Sequence, residues 1–431
     1  PHPHAVADPE ARPEVHARAD AEAHAAGSTG RGAGAVAMAR HEGQVTRRLA
    51  ELTGTRAEDW FLVFQARYGM LQTFAALAAH RPGRSVVTQL LTCATAVDPI
   101  LVAGLSPGYA EVSPDTLSID PQRLALDEGA GAVVIQHTFG IVDDDTSRRV
   151  ARAARDVGAL VCEDSAHCVG RMAHGEDGTP LADVSFHSFG VEKMLPTKFG
   201  GAVWVSPELG DPELRAAIVE GLAGLTAPSV RLRFAARTYR YQLALVNRLP
   251  GAVRSPLRTM LIRAGLFAPA VAPEETAGGL AHGPASPSRW VMKSVATQLE
   301  HILDIERHRV AAVQAYVGTL GAELALPVGV CTGQPLVRFP FLAPADVDAD
   351  AVIAALRGRG IVAGSWYRPA LFPGVADPAV YGYAPGDSAA AVTEDIVARI
   401  VNLPTNVSAD RARGIAQETL EVIDSCRGGR A

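Results

Sequence analysis

The sequence of 431 residues lacks any apolar run that approaches the roughly 20 residues needed to cross a membrane. It also shows no basic stretch followed by an apolar one near its start, so we expect neither a membrane span nor a secretory signal. Its five cysteines are odd in number and scattered, without the spacing of a metal site or a disulfide framework. We therefore expect reduced thiols, no bound metal and a cytoplasmic location.

The chain has no excess of positive charge, with 40 Lys and Arg against 46 Asp and Glu and a formal net charge of −6. This net charge gives no electrostatic reason to expect nucleic acid or an anionic membrane as a partner. Large apolar residues are almost absent from residues 1–35, which are rich in Ala, His, Pro, Glu and Gly. That segment cannot offset its ordering entropy by burial, so we predict a disordered tail.

The sequence does contain a regular alternation of apolar runs and helical patterns. Seven runs predict strands over 61–64, 85–90, 108–112, 132–136, 159–162, 184–187 and 202–205. The segments between them predict helices over 44–52, 69–79, 94–103, 121–126 and 146–157. Such alternation is typical of an α/β domain with a mostly parallel sheet, here of seven strands, that binds ligands beyond the carboxyl ends of the strands.

The second half of the chain is organised differently. Residues 211–268 predict a helical, arginine-rich insertion, whose surface is either solvated, subunit-facing or an anion-binding wall. A Pro- and Gly-rich loop follows, and then a long helix is predicted over 288–320. The remainder predicts a small α+β domain with strands over 336–341 and 361–363 and helices over 347–357, 390–400 and from 408. We therefore divide the chain into a large domain, 36–285, and a long helix with a small domain, 286–431.

Two charged residues follow neighbouring buried strands. Asp164 ends the run that begins at Leu160, and Lys193 comes just after the next run. Such a pair suggests an aldehyde cofactor, because a lysine amine forms an imine with pyridoxal 5′-phosphate (PLP) and a carboxylate keeps the pyridine nitrogen protonated. Other interpretations stay open: Asp164 caps a turn or a helix, Lys193 is solvated beside Glu192, or Lys198 carries the imine instead.

Three segments in order carry a resemblance to a known family. They are His137-Thr138-Phe139-Gly140 with Asp143–Asp145, Val161–Gly170 with its Glu-Asp-Ser-Ala-His core, and Ser185–Ala202. Over roughly residues 44–425 the chain resembles the sugar-nucleotide aminotransferases of the DegT/StrS type, which are PLP enzymes of fold type I. Residues 103–120 and Leu403-Pro404 resemble further segments of that family.

The resemblance implies a role for each matched residue. Lys193 would form the imine and shuttle a proton between the donor Cα and the cofactor C4′, while Asp164 would pair with the pyridinium nitrogen. His167 would contact the ring near its phenolic oxygen, unless it is a hydrogen-bonded core histidine. Ser188 would bind the cofactor phosphate. The backbone amides of Tyr68 and Gly69 would bind it as well, since they are predicted to open a helix.

Three further residues are candidates for contact with substrate. His137 is either a substrate contact or a structural residue. Tyr367 and Arg368 resemble a family segment that faces the substrate, and Arg368 would pair with a carboxylate or a phosphate unless it is a surface arginine.

The implied function is transfer of an amino group from an amino acid, glutamate or glutamine, to a nucleotide-linked keto-sugar by a cytoplasmic homodimer. One alternative is a PLP-dependent sugar dehydratase or lyase, although dehydratase relatives replace the lysine with histidine. The other is a non-catalytic sensor or scaffold, favoured by departures from the family pattern. Those departures are Arg67-Tyr68 for Gly-Thr, Cys93 for a stacking aromatic residue, Phe199 for an acidic residue, and a missing Asn-Arg pair before the long helix.

Overall fold

A computed structural model describes residues 38–428 of the chain. The first described element is helix α1, over 38–53. Within the described part, no helix is both long and apolar enough to cross a membrane. The predicted tail, residues 1–35, lies outside the described residues.

Seven strands form the main sheet: β1 (Trp60–Val63), β2 (Ser85–Gln89), β3 (Ser106–Ala110), β4 (Ala130–Gln136), β5 (Leu160–Asp164), β6 (Val184–Ser188) and β7 (Gly201–Val205).

The sheet has the order β1-β7-β6-β5-β4-β2-β3. Strand β7 runs antiparallel to both of its neighbours, and the remaining pairs are parallel. Every residue of β4, β5, β6 and β7 is buried, as expected for strands covered by helices on both faces. The predicted seven-stranded, mostly parallel sheet is confirmed.

Helices α2 (Ala66–His80), α3 (Ala94–Val102), α4 (Asp144–Asp156) and α5 (Pro212–Ala223) accompany this sheet. The predicted start of the second helix at Gly69 is wrong by three residues, because the chain is already helical at Ala66. The helix predicted over 121–126 is also wrong. Asp120 Oδ1 accepts the Gln122 N–H at 2.9 Å and its carbonyl accepts the Arg123 N–H, so an Asp-stabilised turn replaces it.

The arginine-rich region forms two further helices, α6 (Val230–Asn247) and α7 (Gly251–Arg263). The single helix predicted over 288–320 is in fact two helices, α8 (Arg289–Leu299) and α9 (Ile302–Leu320), separated at Glu300 and His301. Apolar residues of α8 pack in the large-domain core, whereas those of α9 from Ala312 onward pack with the small domain. The break therefore lies between helical segments that belong to different cores.

The small domain contains an antiparallel pair, β8 (Arg338–Leu342) and β9 (Ile400–Pro404), with helices α10 (Ala349–Gly358), α11 (Ala391–Arg399) and α12 (Ala409–Gly428). The strand predicted over 361–363 is wrong, since only Gly364 forms an isolated bridge, to Asn402. The partner of β8 is instead the fully buried run that begins at Ile400, which periodicity had assigned partly to the preceding helix. The division of the chain at residue 286 stays a prediction.

Glycines allow helix α2 to lie very close to strand β7. A Cβ atom at Gly69 would lie 2.3 Å from Val203 Cγ2, and one at Gly201 would lie 2.6 Å from Ala66 N. These contacts are shorter than any van der Waals distance between such atoms. The beginning of α2 is therefore held against the sheet at the level where β6 ends and β7 begins.

We predict that Gly69→Ala lowers the free energy of unfolding by about 1–3 kcal/mol, because the added methyl group overpacks the contact with Val203. Gly318→Ala is the matched control, since Gly318 also lies in a helix, is exposed, and has no atom within 4 Å of the added Cβ. It should leave the protein equally or more stable, by up to about 1 kcal/mol. Urea unfolding of the two variants measures the difference. Equal stabilities would contradict the close approach of α2 and β7.

Candidate active site

One cavity lies at the carboxyl ends of the parallel strands. His137 follows β4, Asp164 ends β5 and Ser188 ends β6, and all three line this cavity because parallel strands end at the same edge of a sheet. The beginning of α2, the loop after α7 and a segment of the small domain complete the walls. These parts contribute Gln65, Ala66, Arg67, Ala268, Pro269, Ala270, Val271, Trp366, Tyr367 and Phe372.

Asp164 is buried at the bottom of the cavity. Its Oδ1 accepts the backbone N–H of Ala166 at 3.0 Å, which fixes the orientation of the carboxyl group. Burial raises the pKa of Asp164, and the positive charge of Lys193 together with the Ala166 N–H counteracts this shift. The predicted pair of carboxylate and amine is thus present in one cavity and electrostatically coupled.

Lys193, His167 and Tyr367 form a hydrogen-bonded group. Lys193 Nζ lies 2.9 Å from His167 Nε2, and Tyr367 Oη lies 3.0 Å from the same nitrogen. The Phe139 N–H donates to His167 Nδ1 at 3.0 Å, so the neutral imidazole carries its proton on Nε2. If Lys193 were an ammonium, its N–H would point at the N–H of His167 Nε2, and no hydrogen bond could form. A neutral amine at Lys193 can instead accept the hydrogen bond from His167 Nε2–H. The geometry favours the neutral, nucleophilic amine.

The electrostatics of these groups agree with this assignment. Burial lowers the pKa of Lys193, an effect that Cys93 and Asp164 partly oppose. Burial also lowers the pKa of His167 well below its usual range, and a proton on Lys193 would lower it further. Desolvation of an amine favours its uncharged form, which is the form that attacks an aldehyde. His167 is therefore a neutral hydrogen-bond partner rather than a cation.

Lys198, the second candidate for the imine, lines the same cavity. Burial lowers the pKa of its amine too, and Arg240 contributes in the same direction. It has no side-chain hydrogen bond within the described residues comparable to the contact of Lys193 with His167. The structure therefore keeps both lysines at the site but surrounds Lys193 with the polar groups.

The aromatic rings at the site come partly from the small domain. The ring of Trp366 stacks on that of His167, with centroids 5.2 Å apart and an angle of 7°, and Lys193 Nζ lies 5.3 Å from the Trp366 centroid. Neither Tyr68 nor Cys93 supplies an aromatic ring to the cavity. The side chain of Tyr68 is buried in the large-domain core, and Cys93 presents a thiol to the cavity. Sequence reasoning missed Trp366, although it directly precedes the motif that identified Tyr367.

The expected phosphate-binding end lies two residues earlier in the chain than predicted. Because α2 begins at Ala66, its first amides are those of Ala66 and Arg67, and these residues line the cavity. The Tyr68 N–H instead donates to the Gln65 carbonyl at 3.1 Å. Tyr68 and Gly69 do not line the cavity. Ser188 does line it, and its Oγ accepts the Gly190 N–H at 3.3 Å.

Arg67 replaces a small residue of the family pattern and has well-defined partners. It forms an ion pair with the buried Glu275 and donates to the Ala270 carbonyl at 2.9 Å. Glu275 Oε2 accepts the Ala272 N–H at 2.8 Å. Arg67 therefore fastens the loop after α7 onto the helix start, and this loop forms one wall of the cavity. Glu275 carried no signal in the sequence.

Two predicted substrate residues have structural partners. His137 lines the cavity. Its Nε2 lies 2.8 Å from Glu163 Oε1, which also accepts the Ala173 N–H, so this hydrogen bond fixes the orientation of the ring. Arg368 does not line the cavity. It donates to the carbonyls of Val397 and Ala398 and pairs with Asp350 at 2.6 Å, which ties the small-domain segment to α10 and α11.

Phe199, another departure from the family pattern, belongs to a core of rings. It stacks on Phe64 at 5.3 Å and meets the edge of Tyr239 of α6 at 5.4 Å. The residue therefore connects the cavity wall to the helical insertion. An acidic side chain at this buried position would lack these contacts and carry a desolvation cost.

Comparisons with known proteins point in one direction. Residues 31–226 match the DegT/DnrJ/EryC1/StrS aminotransferase family. A dTDP-4-dehydro-2,3,6-trideoxy-D-glucose 4-aminotransferase from Saccharopolyspora spinosa is 30% identical over 135 residues, 31% of this chain and 34% of that protein. Spore coat polysaccharide biosynthesis protein SpsC from Bacillus subtilis is 31% identical over 154 residues, 35% and 39% of the two chains. The matched part thus spans little more than a third of these relatives.

The fold extends the likeness over most of the chain. Helicobacter pylori PseC, an aminotransferase involved in the biosynthesis of pseudoaminic acid, superposes with a TM-score of 0.63 at 17% identity, covering 88% of this chain and 90% of PseC. The predicted fold class is confirmed by this likeness. The match to the DegT/DnrJ/EryC1/StrS aminotransferase family covers residues 31–226, a little under half of the chain, and the motifs around His137, Asp164 and Lys193 lie within it.

Proposed function

We propose that this chain is a PLP-dependent aminotransferase that moves an amino group from glutamate or glutamine to a nucleotide-linked keto-sugar. The observation that supports it most directly is one cavity that contains a desolvated amine, Lys193, and a buried carboxylate, Asp164. The family match over residues 31–226 and a relative named as a sugar aminotransferase support the same reaction class.

The chemistry of the side chains fits the cofactor. Lys193 provides the amine for covalent attachment, and Asp164 provides an acid for the ring nitrogen. Ser188 and the first amides of α2, at Ala66 and Arg67, provide donors for a phosphate at a helix N-terminus. When bound, PLP supplies an electron sink for the carbanion that forms at the donor Cα. Trp366 and Phe372 add aromatic rings to the walls of this space.

Lys193 is the base of the proposed reaction. With PLP and an amino-acid donor bound, the neutral Nζ of Lys193 would take the proton from the donor Cα. The contact with His167 Nε2 at 2.9 Å orients the amine and helps to keep it uncharged. Asp164 would stabilise positive charge on the ring nitrogen of a bound PLP, and this electrostatic contribution to such reactions is commonly several kcal/mol.

The substrate and assembly belong to the same proposal. A nucleotide-linked sugar and a homodimer in the cytoplasm are what the family resemblance implies. His137 and Tyr367 line the cavity and can contact the substrate, whereas Arg368 faces away from it. A dehydratase is less well supported because Lys193 is retained, and a scaffold would have no need of a desolvated amine beside an acid.

We predict that borohydride treatment of the protein with PLP attaches the cofactor irreversibly to Lys193. In Lys193→Ala the label should be lost and amino transfer should fall by at least about hundredfold, since the base is removed. Lys198→Ala is the matched control and should keep the label, as it leaves the Lys193 amine in place. Peptide mass spectrometry locates the modification. A pyridoxyl group that persists in Lys193→Ala would refute the assignment.

We also predict that Asp164→Asn slows the half-reaction with glutamate by about 10²–10³-fold, because the carboxylate no longer stabilises the charged ring nitrogen. The amide oxygen can still accept the Ala166 N–H, so the fold should be maintained. Stopped-flow absorbance with saturating glutamate gives the rate. Asp145→Asn, on the exposed surface of α4, is the control. Equal rates in wild type and Asp164→Asn would contradict the role of Asp164, and an unchanged spectrum in wild type would favour a scaffold.

A further inference from the structure

The helical insertion carries an apolar surface that nothing in the described chain covers. Val230, Phe234, Tyr241 and Leu245 of α6 are exposed by 71%, 49%, 79% and 62%. They follow one another in steps of four, seven and four residues, which places them on one side of a helix with 3.6 residues per turn. We call these four residues the apolar stripe. Large apolar side chains aligned in this way indicate a binding surface.

The stripe is separate from the side by which α6 packs. Leu232, Ala236 and Tyr239 are buried in the large-domain core. Each lies two positions along the chain from a residue of the stripe, which places it on roughly the opposite side of the helix. The helix therefore has one apolar side toward the protein and another toward the outside. Helix α7 continues the outer surface, since none of residues 252–263 is buried and Val253 and Met260 are exposed by 52% and 58%.

The charges around the stripe have a single sign. Residues 230–263 contain eight arginines, all exposed, and no Asp or Glu: Arg231, Arg233, Arg237, Arg240, Arg248, Arg254, Arg258 and Arg263. None of the ion pairs found among residues 38–428 involves any of them. Removing this +8 from the net charge of −6 leaves −14 on the rest of the chain. The net charge of the whole chain is therefore negative although one surface, formed by residues 230–263, is strongly basic.

We propose that the apolar stripe and its arginines bind the surface of an anionic phospholipid membrane. A helix with apolar residues on one side and arginines beside them is suited to lie in the interface, where the apolar side chains enter the lipid and the guanidinium groups meet phosphates. A second copy of the chain fits less well. A two-fold symmetric contact through this surface would set arginines against arginines, with no acidic residue in the segment to pair with them.

The test is co-sedimentation of the full chain with vesicles of phosphatidylcholine, with and without phosphatidylglycerol. Wild type should bind only the vesicles that contain phosphatidylglycerol. The triple variant Arg233→Gln/Arg237→Gln/Arg248→Gln should bind about hundredfold more weakly, from about fivefold for each arginine. The corresponding triple change to Lys keeps the charge and should keep the binding.

The stripe needs its own variant and control. Phe234→Ser/Tyr241→Ser/Leu245→Ser should lose at least about tenfold in vesicle affinity without loss of stability, since these side chains are exposed. Leu303→Ser/Val362→Ser changes equally exposed apolar residues elsewhere and should bind like wild type. Failure of wild type to bind the anionic vesicles would overturn the proposal. A lower molar mass of the stripe variant in light scattering would also overturn it, by identifying the stripe as a subunit interface.

Discussion

The site depends on the shared direction of the central strands. Since β4, β5 and β6 are parallel, the residues that follow or end them, His137, Asp164 and Ser188, reach the same edge of the sheet. Gly69 and Gly201 let the start of α2 approach this edge, so that a positive helix end faces the same space. The strands and the helix start alone thereby bring together a carboxylate (Asp164), a hydroxyl (Ser188) and backbone N–H donors from segments far apart in the chain.

The small domain and the loop after α7 then add further walls, so that this edge becomes a cavity. Trp366 and Tyr367 cover His167 and leave Lys193 in surroundings that favour an uncharged amine. Arg368 fixes their segment to α10 and α11 instead of entering the site. On the other side, the ion pair between Arg67 and Glu275 holds the loop that forms the opposite wall. Two residues that depart from the family pattern, Arg67 and Phe199, thus have packing roles around the cavity.

The helical insertion adds a surface whose chemistry differs from that of the rest of the molecule. Phe199 and Tyr239 join α6 to the rings beside the cavity, so the basic outer surface is carried by a helix that packs next to the site. The proposed contact with an anionic membrane would bring the cavity close to the lipid surface.

The sequence by itself predicted the strand–helix alternation and the mostly parallel sheet, because buried runs are local patterns in consecutive residues. Its local motifs also pointed to Asp164, His167, Ser188 and Lys193, which all line the cavity, while their roles stay predictions. It placed the helix start at Gly69 rather than Ala66 and joined α8 to α9, since periodicity does not record which core a turn packs against. Only the tertiary structure decided the tautomer of His167, the ring of Trp366, the partners of Arg67 and the outward direction of Arg368. Each of these depends on contacts between segments tens to hundreds of residues apart, and such contacts leave no local pattern.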